Sequence, residues 1–199
     1  MATDAVRGFK LRDDLMNYKP KLRRYYISAS DATATFPGDL VTIKTESEAD
    51  ANGYQAVIQA AASDACVGVL ISVDQVDGIS DANFSLYRKH RIASTKMYCL
   101  VCDDPNALYE VQEDSVGGNI ALTDGQKNVN FIVAAGNTTF GLSGMEIDSS
   151  SVDTTATLPL KLMGSIQEPG SSLPDTNAKW VVKINNHQYG SHTGTAGVA

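Results

Sequence analysis

The chain has 199 residues, 43% of them hydrophobic and 20% charged, which is room for one good domain or two small ones and enough apolar mass for a real core. Sixteen Lys and Arg against 23 Asp and Glu give a net charge of −7, a poor balance for a protein that must wrap nucleic acid. The total hides an asymmetry: residues 1–24 hold seven basic residues against three acidic ones, and the rest of the chain holds nine against twenty.

Residues 1–24 are mixed in charge, with irregularly spaced apolar side chains at Val6, Phe9, Leu11, Leu15, Met16 and Leu22. A short helix over residues 11–18 would have to end before Pro20. The simpler expectation is an extended basic arm that docks on another molecule. No apolar leader segment is visible at the N-terminus, and no stretch reaches the roughly 18 apolar residues that would span a bilayer. The three cysteines are expected to be reduced thiols.

From Tyr25 the pattern changes to short β segments. Residues 25–28 read as a strand, Phe36-Pro37-Gly38-Asp39 as a turn, and residues 40–45 as an alternating strand. Residues 54–62 sit between Gly53 and Ser63-Asp64, which favours strand–turn–strand, although their Ala and Gln content suits a helix. Residues 67–73 form an apolar strand and are followed by a loop over residues 74–81. A basic patch at Arg88, Lys89, His90 and Arg91 reads as a solvated loop. Strands are expected over residues 95–102 and 108–112, separated by the turn Asp103-Asp104-Pro105-Asn106. Further strands are expected over residues 119–122, 130–135, 138–141, 158–166 and 180–184, with loops between and a polar tail over residues 185–199.

Strands of four to eight residues at such spacing indicate an all-β fold of two small β-barrel or sandwich subdomains, residues 25–103 and 104–199, preceded by the N-terminal arm of residues 1–24.

The chemistry-bearing residues form no catalytic pattern. Cys99-Leu-Val-Cys102 has the C-x-x-C spacing of a zinc or redox site, but it lies in a strand, where residues three apart point to opposite faces. Asp103, Asp104, Glu110, Glu113 and Asp114 match no calcium loop and read as solvated carboxylates; Glu110 and Glu113 would also face opposite ways. His187 and His192 lie five apart, which is not the spacing of a helical metal pair. No metal, cofactor or catalytic residue is expected, and the protein is expected not to be an enzyme.

One resemblance adds to this. The run from residue 98 to 114, YCLVCDDPNALYEVQED, resembles a segment common in structural proteins of tailed-bacteriophage heads, in which a strand ends at a DDP turn before a segment close to F/Y-E-I/V-Q-E-D. The Pro37-Gly38-Asp39-Leu40-Val41 turn, Gly68-Val69-Leu70, residues 136–166 and the segment AKWVVKINNH at 178–187 resemble the same proteins. The likeness is to capsid decoration, or cement, proteins and covers much of residues 36–187. It implies a structural virion protein, made in the host cytoplasm. Such a protein binds the major capsid protein on the outer surface of the shell, often as a homotrimer, and stabilises the shell by bridging its subunits. Neither nucleic acid nor membrane is expected as a partner.

On that reading the arm reaches a neighbouring subunit, with Phe9, Leu11, Leu15 and Met16 as apolar anchors and Arg7, Lys10, Arg12, Arg23 and Arg24 meeting capsid carboxylates. The alternative is a virion-displayed carbohydrate- or host-surface-binding β module using Tyr87, Tyr109, Trp180 and Tyr189, although Tyr109 and Trp180 sit in strands where core packing is the better expectation.

Overall fold

A computed structural model describes residues 4–44, 49–74, 89–166, 168, 171, 175–190 and 193–198. Among them the protein is all-β. The strands in chain order are β1 (Lys10–Leu11), β2 (Leu22–Ile27), β3 (Leu40–Ile43), β4 (Val57–Gln59), β5 (Gly68–Asp74) and β6 (Met97–Cys102). They continue with β7 (Leu108–Gln112), β8 (Asn128–Val129), β9 (Phe131–Ile132), β10 (Glu146–Ile147), β11 (Leu160–Ser165) and β12 (Lys179–Ile184). Short 3₁₀ turns cover Asp13–Leu15, Leu122–Asp124 and Ser149–Ser151.

Two five-stranded antiparallel sheets carry the fold, ordered β2-β6-β5-β3-β4 and β1-β7-β12-β11-β8, with β9 and β10 as a separate pair. The first sheet curls until its edges touch at one bridge, Tyr26 to Ala56, where the Tyr26 N–H donates to the Gln55 carbonyl at 3.1 Å. It does not close into a barrel.

Period-two alternation explains what each face holds. In the curled sheet Tyr25, Ile27, Val41, Val57, Leu70, Cys99 and Val101 form one buried cluster. Residues of opposite parity on the same sheet, Leu40, Val69 and Cys102, join Tyr109, Val111, Leu160, Leu162, Trp180, Val182 and Ile184 of the second sheet in a larger one. The two sheets therefore share a core. Close approach is enforced at Gly68, where an added Cβ would lie 2.1 Å from the Cys102 carbonyl oxygen.

Most strands fall where the alternation placed them, including β7 and the strand reading of residues 54–62. Two expected strands do not form. Residues 138–141 are a turn, because the Asn137 side chain accepts the N–H groups of Thr139 and Phe140 at 3.0 and 3.1 Å. Residues 119–122 lead into a 3₁₀ turn, where Asp124 accepts the Ala121 N–H at 2.9 Å. The loop expected over residues 74–81 lies almost wholly outside the described residues, its first residue, Asp74, being the last of β5.

The basic patch is not a solvated loop as a whole. Lys89 is exposed, but Arg91 is fully buried. Its guanidinium donates to the carbonyls of Ser28, Asp31, Thr33 and Thr95 and to the Asp31 carboxylate at 3.1 Å, pinning two loops together. Arg88 lies outside the described residues.

Candidate functional site

The N-terminal segment is a strap across the body, and this corrects the expectation of a freestanding arm. Gly8, at φ +67°, passes so close to Gly38 and Ser143 that a Cβ would lie 2.4 Å from the Ser143 Cβ. That crossing delivers Phe9 into the shared core: it is 2% exposed, its N–H donates to the Gly38 carbonyl at 2.9 Å, and its ring meets Phe131 edge-on at 6.5 Å. Lys10 and Leu11 then pair with Glu110 and Tyr109 as the edge of the second sheet, Leu11 packing on the core. After the 3₁₀ turn the chain crosses to the first sheet and enters β2.

The nine residues assigned to docking therefore divide. Phe9 and Leu11 belong to the core. Arg12 is held by its own chain, donating twice to Asp14 and once to Glu110, each at 2.7 Å. Those bonds raise its pKa, Asp14 contributing most, and lower that of Asp14. Arg23 pairs with Asp103 at 3.0 Å and lies over the Tyr189 ring, while Arg24 lies over Tyr98 and Tyr54. Arg7 and Lys10 are exposed and make no ion pair within 4 Å among the described residues. Leu15 is 47% exposed and Met16 half-buried.

Two neighbours of Leu15 stood outside the expected docking set: Tyr18, and Leu22, which the sequence offered only as one of the segment's apolar side chains. Tyr18 and Leu22 are each 44% exposed, with exposed Lys19 and Lys21 between them. The signal was present as an apolar residue every three or four positions through a basic stretch. Burial and the neighbouring Asp104 raise the Tyr18 pKa, so its hydroxyl stays protonated in neutral solution. The resulting surface combines large apolar side chains with positive charge.

Beside it, the strap and the edge of β7 enclose a groove of about 640 Å³ whose charged walls are Arg7, Lys10, Arg12 and Lys179 against Asp13, Asp14, Glu110 and Glu168. Lys179 pairs with Glu168 at 2.5 Å and reaches Glu110 at 3.6 Å. The groove is thus largely neutralised from within.

The acidic residues do separate structural work. Asp103 and Glu113 are buried, which corrects their reading as solvated carboxylates. Asp103 accepts from the Tyr25 hydroxyl at 2.8 Å. Glu113 accepts the Ile120 N–H at 3.0 Å, and burial pushes its pKa up to about 6. Glu110 faces the strap instead, so the two glutamates do point to different environments. Asp114 accepts from the Ser149 N–H and hydroxyl.

Cys99 lies in the inner cluster of the curled sheet and Cys102 in the shared core, so the C-x-x-C spacing brings no pair together. Cys66 is also in the shared core, and all three thiols are free and buried. Of the aromatics proposed for sugar contact, Tyr109 and Trp180 are core residues, Tyr189 is 45% exposed and Tyr87 lies outside the described residues. His192 does too, whereas His187 is 1% exposed.

No protein-family model, curated protein or solved structure matches the chain.

Proposed function

We propose that this protein is a structural component of a bacteriophage virion. It binds the major capsid protein on the outer surface of the shell and stabilises the shell by bridging neighbouring subunits, without catalysis. The observation that carries the reading is the strap surface: Leu15, Tyr18 and Leu22 stand exposed among Lys19, Lys21 and Arg23 on an otherwise acidic chain. Anchors of this kind suit a protein surface with apolar pockets and carboxylates better than a phosphate backbone. The resemblance of short segments over much of residues 36–187 to decoration proteins supports the same partner. A homotrimer would add three modest contacts through effective concentration, so each strap need bind only weakly.

Co-sedimentation of the full chain with phage heads tests the reading. L15S/Y18S should weaken retention by about tenfold or more, as loss of central apolar anchors does. K19E/K21E should weaken retention and flatten its dependence on salt. Wild-type retention by both variants would refute the assignment of the strap. Saturable binding to a glycan array with no binding to heads would favour the carbohydrate- or host-surface-binding module, for which exposed Tyr189 is the contact.

A further inference from the structure

On the outer face of the second sheet, Lys161 of β11 stands directly opposite Lys183 of β12. Like charges placed directly across two strands repel, and such pairs are unfavourable unless something neutralises them. Among the described residues no carboxylate lies within 4 Å of either ammonium group. Lys161 Nζ donates to the Thr195 hydroxyl at 3.1 Å and the Ala196 carbonyl at 2.9 Å, and Lys183 Nζ to the Asn106 side-chain oxygen at 2.8 Å. An ammonium has three donors, so one remains on Lys161 and two on Lys183.

Both lysines line a cavity of about 350 Å³, with Asn106, Asn185, His187 and Thr195 among its other polar walls. His187 belongs to the same wall. It is 1% exposed, its Nδ1 accepts the Tyr189 N–H at 3.0 Å, and its Nε2 has no hydrogen-bond partner. With Nδ1 accepting, the neutral ring carries its proton on Nε2, which is itself closed to solvent. Burial lowers the His187 pKa to about 4, so the ring is neutral near pH 7 and adds no charge to the cavity wall. The nearby carboxylates are committed elsewhere: Asp103 Oδ2 accepts from Tyr25 and pairs with Arg23, and Asp104 accepts the Asn106 N–H at 2.9 Å.

We propose that this cavity is an oxyanion-binding site in which Lys161 and Lys183 grip a phosphate or carboxylate group. An anion between the two ammonium groups would convert their repulsion into two charge-assisted contacts. This assignment is independent of any capsid contact.

The test is a titration of the full chain near pH 7 at fixed ionic strength, with sodium phosphate in one arm and sodium succinate in the other, sodium chloride making up the balance. Melting temperature and the Tyr189 amide shift are the readouts. The expected result is a saturable shift and a raised melting temperature, because a ligand that binds only the folded state stabilises it. The arm with the lower midpoint identifies the anion class. K161M and K183M keep the aliphatic stems and should each weaken the response about tenfold, as losing one charged hydrogen bond does. Melting of each variant in chloride alone sets the baseline from which its anion response is read, since the substitution also removes hydrogen bonds to Thr195 and Ala196 or to Asn106. Absence of saturation in both arms, or a response unchanged in the K161M/K183M double variant, would overturn the proposal.

Discussion

At the scale of single residues, buried groups that titrate away from their ordinary range make stability depend on pH. Gln112 bridges the Asp4 and Glu146 carboxylates through Nε2, 3.2 Å from each, and its Oε1 accepts the Ala5 N–H at 3.1 Å. Burial, with Asp4 and Asp114 nearby, pushes the Glu146 pKa up to about 7. A carboxyl whose folded pKa exceeds its unfolded value near 4.5 keeps its proton longer in the folded state. Its contribution is therefore full below about 4.5 and is lost as pH rises toward 7. Glu113, raised to about 6, acts in the same direction over a narrower window. His187, lowered to about 4, acts oppositely: its neutral folded form loses stability as pH falls from about 6.5 toward 4. E146Q isolates one contribution. It should raise the urea midpoint at pH 8, where the wild type carries an ionised Glu146 beside Asp4, and change it little at pH 4.5. Equal effects at the two pH values would refute the assignment.

At the scale of elements, the first twenty-four residues show why sequence pattern found the body and misread the strap. β7 alternates, with Tyr109 and Val111 in the core and Glu110 and Gln112 on the other face, where Asp4 and Ala5 bond to Gln112, so its period is visible in five residues. β1 is two residues long and has no period to read. Its position depends on a close crossing at Gly8 and on a cavity for Phe9 built by residues more than a hundred positions away, including Phe131. Phe9 therefore looked like a docking anchor although it is a core residue, and Arg12 looked available although Glu110 and Asp14 hold it. The part of the docking surface that was legible, Leu15 and Met16 in a basic stretch, is the part whose exposure needs no distant partner. The buried roles of Arg91, Asp103 and Glu113 were invisible for the same reason, since each depends on loops that meet only in the fold. A consequence is measurable. F9A should cost about 3–5 kcal/mol in urea denaturation, the range for emptying a buried aromatic site. A cost below about 1 kcal/mol would mean that the strap lies on the body without anchoring it.

At the scale of the whole molecule, the division suggested by the Asp103–Asn106 turn coincides with the change of sheet but not with a gap in the core. Leu40, Val69, Cys66 and Cys102 from one side of that turn are packed in the same cluster as Tyr109, Val111, Trp180 and Val182 from the other. The strap adds Phe9 to the same cluster and then runs into β2, so it ties the two sheets together a second time. Separation of the sheets would expose this apolar surface on both, which favours a single cooperative unfolding step. The cysteines report on this directly. Cys66 and Cys102 lie in the shared core and Cys99 in the inner cluster of the curled sheet; burial pushes all three thiols up, Cys99 to about 12. None presents an exposed thiolate near neutral pH, so a thiol reagent can reach them only through opening of the structure. If the sheets open together, single-cysteine versions of the chain should be labelled at one common rate, equal to the rate of global unfolding followed by Trp180 fluorescence. If the curled sheet were an independent unit, Cys99 would follow a rate of its own, set by the opening of its inner cluster alone. A distinct Cys99 rate would therefore overturn the single-unit description, and a common rate would place both clusters in one folding unit.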